Sequence, residues 1–351
     1  MMVCILAYRI DSLTYTIAKA LSYGGYDVFL QSISQEHVCD IDTRLSKMLA
    51  STPQVTVATS TNPDIPQKIG HLIIQGHPEL LGHRQTLDLL ARRTKKLTII
   101  SSGDRKFQIR QSMLSQWREI CWYGRALRQV KRVVYKDGFY PTDLFGLLYP
   151  RRVIGFDVHS KFLSNQEAFG LIHTADWDIE AQRPILTNFL GSRDPKRRAC
   201  IVDSVQPYFS QPSRETPSFQ TKKTMFWHMF SDASPNSLGT TEYLDVLVRS
   251  DFTLCPPGYS LVTHRPLEAL LRGSIPVLHS NELDLYDIGL QDGVNCIGVA
   301  PKQWPAAIER LNQLDEDTLV AMRRNIFSMI EDRLDYPASS KRMRIRLGLE
   351  Y

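Results

Sequence analysis

No run of apolar residues in the sequence is long enough to cross a bilayer, so a transmembrane transporter or channel is not expected and a soluble chain is. Cysteine is sparse. Cys4, Cys39, Cys121, Cys200, Cys255 and Cys296 lie far apart with no CxxC pair, which speaks against a zinc ribbon or a disulfide framework and for reduced thiols in a cytoplasmic protein. The opening MMVCILAYRIDS has neither a basic start with a long apolar stretch nor a small-residue cleavage site, so no secretory leader is expected. GxGxxG is missing after the first apolar run, and a nicotinamide-dependent dehydrogenase loses its main support with it. Helix-turn-helix, RNP and zinc-finger patterns are also lacking, and a net charge of only +5 is a poor footprint for nucleic-acid binding.

What the chain does hold is the composition of an ordinary globular protein, 43% hydrophobic and 23% charged over 351 residues, enough for two α/β domains. Val3–Ala7, a helical pattern through Ile17, Ala18 and Leu21, Gly24-Gly25 and Asp27–Leu30 read as a βαβ opening. Gln54–Ala58, His71–Gln75, Leu97–Ser101 and Arg132–Tyr135 continue a parallel sheet, and a long amphipathic helix is expected over 105–130, with Trp117 in its core face. A second series follows: strand Ile185–Leu190, helix 195–205, strand Thr224–Met229, helix Thr241–Val248, strand Asp251–Cys255, helix Arg265–Leu271 and strand Ile275–Leu278. The expected division is an N-terminal lobe over 1–160, a linker over 161–184, a C-terminal lobe over 185–335 and a basic tail over 336–351, with packing back on the N-terminal lobe as one option for the tail.

Basic residues gather at Arg92–Lys96, Arg125–Arg132, Arg151–Arg152 and Lys341–Arg346, which fits solvated helix faces and equally a peripheral contact with an anionic membrane surface. The most informative stretch is SDFTLCPPGYSLVTHRPLEALLRGSIPVLHSNE, residues 250–282. Two apolar strands flank a loop and a helix start, and ligands of open α/β sheets sit at the C-terminal ends of strands. Pro256-Pro257-Gly258 stiffens the chain and then frees it, leaving the backbone amides from Gly258 to Ser260 and a helix start as an anion cradle. Arg265, Glu268 and Arg272 fall at spacings of three and four on one helix face, with Leu267, Leu270 and Leu271 toward the sheet. A carboxylate there can accept from ribose hydroxyls and a guanidinium fork suits diphosphate oxygens, although a plain helix ion pair would use the same residues.

This string resembles the C-terminal signature of exostosin-like glycosyltransferases. Leu254-Cys255-Pro256-Pro257-Gly258, Arg265, Glu268-Ala269, Gly273-Ser274-Ile275-Pro276-Val277 and Glu282 carry the resemblance, with Phe189–Arg193, Arg197-Arg198 and Glu242-Tyr243-Leu244 similar upstream. It departs at Pro257, where a basic or small residue is more usual, and at Ser274, which replaces a common cysteine. The resemblance implies a GT-B architecture, two Rossmann-like lobes with parallel sheets facing across a cleft, an inverting reaction without an essential metal, and no cofactor beyond a nucleotide sugar, UDP-linked in expectation. The implied donor-binding set is Gly191, Arg193, Cys255, Pro256, Gly258, Tyr259, Ser260, His264, Arg265 and Glu268. The acceptor would be a saccharide or a lipid-linked saccharide, in polysaccharide biosynthesis, with the enzyme cytoplasmic or peripheral at the inner membrane face.

An inverting transfer needs a base opposite the departing diphosphate. His77, Asp157, His159 and Asp11 each follow a strand and are the candidates, with His77 and Asp157 preferred. The DxD triplets Asp40-Ile41-Asp42 and Asp176-Trp177-Asp178 sit before a helix and in the linker, so neither is expected to hold metal. Alternatives are a GT-B transferase of another branch using a GDP- or ADP-sugar, and a non-catalytic subunit that binds sugar nucleotides or glycans.

Overall fold

The computed structural model describes residues 1–34, 40–58, 65–76, 80, 82–101, 121–135, 151–153, 177–194, 196–209, 223–229, 238–258, 263–286, 288–334 and 336–350. The chain divides into two compact units, one of 1–170 with 335–351 and one of 171–334. In the first unit β1 (Met2–Ala7), α1 (Ser12–Tyr23), β2 (Asp27–Ser32), α2 (Asp40–Ala50), β3 (Val55–Ala58), β4 (His71–Gly76), α3 (Arg84–Arg92), β5 (Leu97–Ser101), β6 (Val130–Tyr135) and β7 (Arg151–Val153) follow in order. Their strands form one parallel sheet in the order β3-β2-β1-β4-β5-β6-β7. Near-continuous Val, Ile and Leu in β1, β4 and β5 suit strands covered on both faces. Succession runs outward on one side from β1 to β3 and then restarts on the other at β4, so the topological switch point of this sheet lies between β1 and β4.

The second unit contains β8 (Ile185–Gly191), α4 (Lys196–Phe209), β9 (Thr224–Met229), α5 (Thr240–Val248), β10 (Ser250–Cys255), α6 (His264–Leu270), β11 (Ile275–His279), β12 (Ile297–Val299), α7 (Trp304–Leu311) and α8 (Glu316–Met329). Its sheet is also parallel, in the order β12-β11-β10-β8-β9, and its switch point lies between β8 and β10. At the starting ends of these strands Asp251 of β10 is fully buried against Arg323 of α8 and lies 2.7 Å from Lys223, while Arg183 donates to the Ser250 carbonyl at 2.8 Å. This charged cluster ties α8 under the sheet, at the opposite end from the loops that follow the strands.

One last helix, α9 (Tyr336–Leu347), belongs to the first unit. It packs on α1, which explains why α1 is buried on nearly every side: the sheet covers one face, and Met343 and Leu347 join the core on the other. Arg344 is buried and donates to the Ala20 carbonyl in the last turn of α1, where a cation offsets the negative end of the helix. Gly24 leaves room for it there: a Cβ would come within 2.7 Å of the Arg344 side chain and push it from this seat. Arg132 of β6 reaches the Ile345 and Arg346 carbonyls at 2.6 and 2.7 Å. Part of the basic character that suggested a membrane face is thus spent on internal packing.

The helix expected over 105–130 is corrected where it can be seen. Residues 102–120, with Trp117, lie outside the described residues; 121–123 are helical, Gly124 turns to φ +48, a 3-10 helix covers Gly124–Gln129, and β6 begins at Val130. Left-handed backbone at Gly124 ends the α-helix despite the apolar spacing. Among the described residues no helix is long and apolar enough to cross a membrane.

Candidate donor site at the second switch point

β8 and β10 end side by side in Gly191 and Cys255, both buried. Their register is locked by Asn188, whose Nδ2 donates to Thr253 Oγ1 at 2.9 Å and to the Phe252 carbonyl at 3.2 Å, while Thr253 and Ser274 share a hydroxyl bond of 2.8 Å. Ser274, the departure from the more usual cysteine, therefore has a partner across the sheet that a thiol would satisfy poorly.

Above this floor lies Arg265 of α6. Its guanidinium sits over the Phe189 ring, 5.3 Å from the centroid, and against Gly191, where a Cβ would come within 2.4 Å of Nη2. Glycine at the end of β8 leaves room for the guanidinium where it lies; a Cβ there would displace it. Among the described residues its Nε is buried with no hydrogen-bond partner, an uncommon condition for a charged group and one that a ligand oxygen would relieve. Glu268, one turn along, accepts a short hydrogen bond from the Tyr243 hydroxyl of α5. Burial, and then the adjacent Glu268 charge, push the Tyr243 phenol well above its usual range, so it stays a donor at any working pH.

α6 is cut short by its glycine. Gly273 takes φ +67, and the Gly273 and Ser274 amides close back on the Leu270 and Ala269 carbonyls, which ends the helix before Arg272. The expected face of Arg265, Glu268 and Arg272 is accordingly broken: Arg272 lies past the helix and is buried, and its carbonyl accepts from Arg183. A side chain at 273 would also strike Trp177, whose ring lies 2.3 Å from the Cβ position. Leu267, Leu270 and Leu271 are buried as expected.

The remaining donor candidates fall at different distances from this centre. Pro256 and Gly258 are buried in the loop directly after β10. Cys255 is buried, donates to the Thr253 carbonyl and has its thiol pushed far up by burial, so its contribution is backbone position and not a thiolate. Thr263, just before α6, is held by its amide donating to the buried Tyr286 hydroxyl at 2.9 Å, and His264 opens the helix. Arg193 is exposed and forks onto Asp203 of α4. Tyr259 and Ser260 lie outside the described residues.

Sequence reasoning passed over two residues of the site as functional groups. Arg198 of α4 donates from Nε to the Pro257 carbonyl at 3.0 Å and from Nη1 to Ser192 O and Oγ at 3.3 and 3.2 Å. Tyr243 is the other. Each stood in the sequence only as a family-like position, because a partner some 60 or 25 residues away leaves no local pattern.

Of the base candidates, His77, Asp157 and His159 lie outside the described residues. Asp11 caps α1: one carboxylate oxygen accepts from Thr14 N and Oγ1 at 2.9 Å each, and the other from Gln75 Nε2 at 2.8 Å. Asp176 and the side chains of Asp40 and Asp42 are likewise outside the described residues, and among those described no cluster of His, Cys, Asp and Glu could hold a metal ion.

Residues 151–287, less than half of the chain, match the exostosin GT47 domain, and this span contains Gly191, Arg198, Tyr243, Arg265, Glu268 and Glu282. No curated protein matches the chain by sequence. Among solved structures, HepE of Anabaena in complex with UDP-glucose is similar with a TM-score of 0.54 at 12% identity, covering 99% of each chain. Sucrose-phosphate synthase from Thermosynechococcus elongatus is similar with a TM-score of 0.51 at 12% identity, covering 98% of this chain and 97% of that one. The fold is that of the GT-B class, with two Rossmann-like parallel sheets. With residues 151–287 similar to the exostosin GT47 domain, on a fold of the GT-B class, the chain is a glycosyltransferase.

Proposed function

We propose that this glycosyltransferase takes its sugar from a UDP-sugar, binds the nucleotide at the β8/β10 switch point, and transfers with inversion and without an essential metal to a saccharide or lipid-linked saccharide. The observation that carries the reading is the Arg265 guanidinium, seated beside Gly191 at the switch point with a buried donor that has no partner among the described residues. As the diphosphate leaves, negative charge grows on its oxygens, and a preplaced cation stabilises that charge without reorganising. Glu268, held by Tyr243, is placed to accept from the ribose hydroxyls. A uridine nucleotide is favoured because HepE, of similar fold, was crystallised with UDP-glucose.

A thermal-shift panel of UDP, GDP, ADP and dTDP on wild type and Glu268→Ala tests the assignment, since a ligand that binds only the folded state raises apparent stability. Stabilisation by UDP that is lost in the variant supports it. Preference for GDP or ADP moves the chain to another donor branch, and no response to any nucleotide removes the donor site. We place the enzyme in the cytoplasm, and Arg128, Lys131 and Lys341, all exposed, are the groups that would touch a membrane carrying a lipid-linked acceptor. Failure to co-sediment with anionic vesicles at low salt leaves the soluble saccharide.

A further inference from the structure

The two loops that flank the β8/β10 switch point are joined by one side chain. Ser192 follows directly on Gly191, the residue that makes room for Arg265, and Pro257 leads from β10 into Gly258. Arg198 grips both: Nη1 takes the Ser192 carbonyl and hydroxyl, and Nε takes the Pro257 carbonyl. A guanidinium can do this because its donors diverge in a fixed plane; an ammonium offers a point charge and holds no two loops at a set separation.

We propose that Arg198 is a positioning residue for the donor: it holds the post-β8 and post-β10 loops at the separation the nucleotide diphosphate requires, and through Ser192 and Gly191 it keeps the Arg265 recess in register. The inference rests on the donor-site reading above. Its consequence is that the planar fork, more than the charge, sets donor affinity.

The test is UDP binding by titration calorimetry, with donor KM and kcat, for wild type, Arg198→Lys and Arg198→Met. Losing the fork is expected to weaken UDP binding about 10-fold in both variants, the order of one or two charge-assisted hydrogen bonds, with kcat at saturating donor within about 2-fold of wild type. A merely structural role would lower Tm and leave KM and UDP affinity of the folded fraction unchanged, which overturns the proposal. Wild-type affinity in Arg198→Lys with weak binding in Arg198→Met means that charge suffices, and overturns it too. If both variants fail to fold, Ser192→Ala decides: removal of one acceptor is expected to weaken UDP about 3-fold, and unchanged affinity rejects the clamp. Wild type that binds no UDP rejects the donor-site reading itself, whereas wild type that binds with variants equal to it rejects Arg198 alone.

Discussion

Each unit carries a switch point in its parallel sheet, and the two are furnished in opposite ways. Between β1 and β4 the described polar groups answer one another: Asp11 accepts from the Thr14 amide and from Gln75, and the single Thr14 hydroxyl proton is shared between Asp11 and Gln75, with Thr14 and Gln75 buried. Between β8 and β10 the charged group does not: Arg265 rests on an aromatic face in a recess cleared by Gly191, its buried Nε without a partner among the described residues. Topology marks both places as crevices, but only residual hydrogen-bonding capacity separates a place that waits for a ligand from one that has spent its polarity on the fold.

That contrast can be broken or sharpened by substitution. The largest effect is expected at Arg265→Met, which should lower kcat/KM for the sugar donor by about 10² to 10³ while leaving Tm within a degree or two, since Nε has no hydrogen-bond partner among the described residues and an unbranched apolar side chain can still cover the Phe189 ring. A drop in stability without a drop in turnover would put Arg265 in the fold and erase the difference between the two crevices. Next comes acid stability in the first unit. His71, buried at the start of β4 and bonded to Thr98, is lowered to about 4 by burial and by the nearby Lys96 and Arg132. The unfolded chain binds this proton near 6.5, so the contribution is intact above that value and lost as pH falls toward about 4, up to about 3 kcal/mol in all. A His71→Gln variant should flatten that part of the urea-unfolding profile, and an unchanged slope would clear His71 of the effect.

A smaller effect is expected at Tyr243→Phe, which leaves Glu268 without its phenolic donor and should raise the UDP dissociation constant about tenfold. Calorimetry of the variant checks it, and unchanged affinity would confine the pair to packing. Smallest is Asp11→Ala, where loss of the α1 cap should cost about 1 kcal/mol in denaturant unfolding with turnover near wild type. Turnover falling a thousandfold or so at preserved stability would make Asp11 the base and turn the satisfied crevice into a catalytic one.

Much of the fold was legible in the chain. Thr224–Met229 and Leu97–Ser101 were legible to the residue, and most other strands within two: inner parallel strands are apolar runs between turn signals, and the half-exposed edge strand Thr224–Met229 still carries Met, Phe and Trp between polar flanks. The helix over 105–130 was drawn too far, since periodicity continues past Gly124 while the backbone does not. In the site, Arg265, Glu268 and Gly191 were legible as parts of a compact motif; that Gly191 clears the seat of Arg265 was not, because they are 74 positions apart in sequence (265 − 191) and meet only when β8 and β10 pair.

By itself the sequence determined the two α/β series, the exostosin-like string and the residue types at its centre, all of which depend on neighbours a few positions away. Tertiary structure alone decided which of those groups are already satisfied. It turned Arg193 to Asp203, Gln75 to Asp11 and Arg344 to the end of α1, and among the described residues it left the Arg265 Nε without a partner. Hydrogen-bond partners are chosen by proximity after folding, and no spacing rule along the chain carries that information.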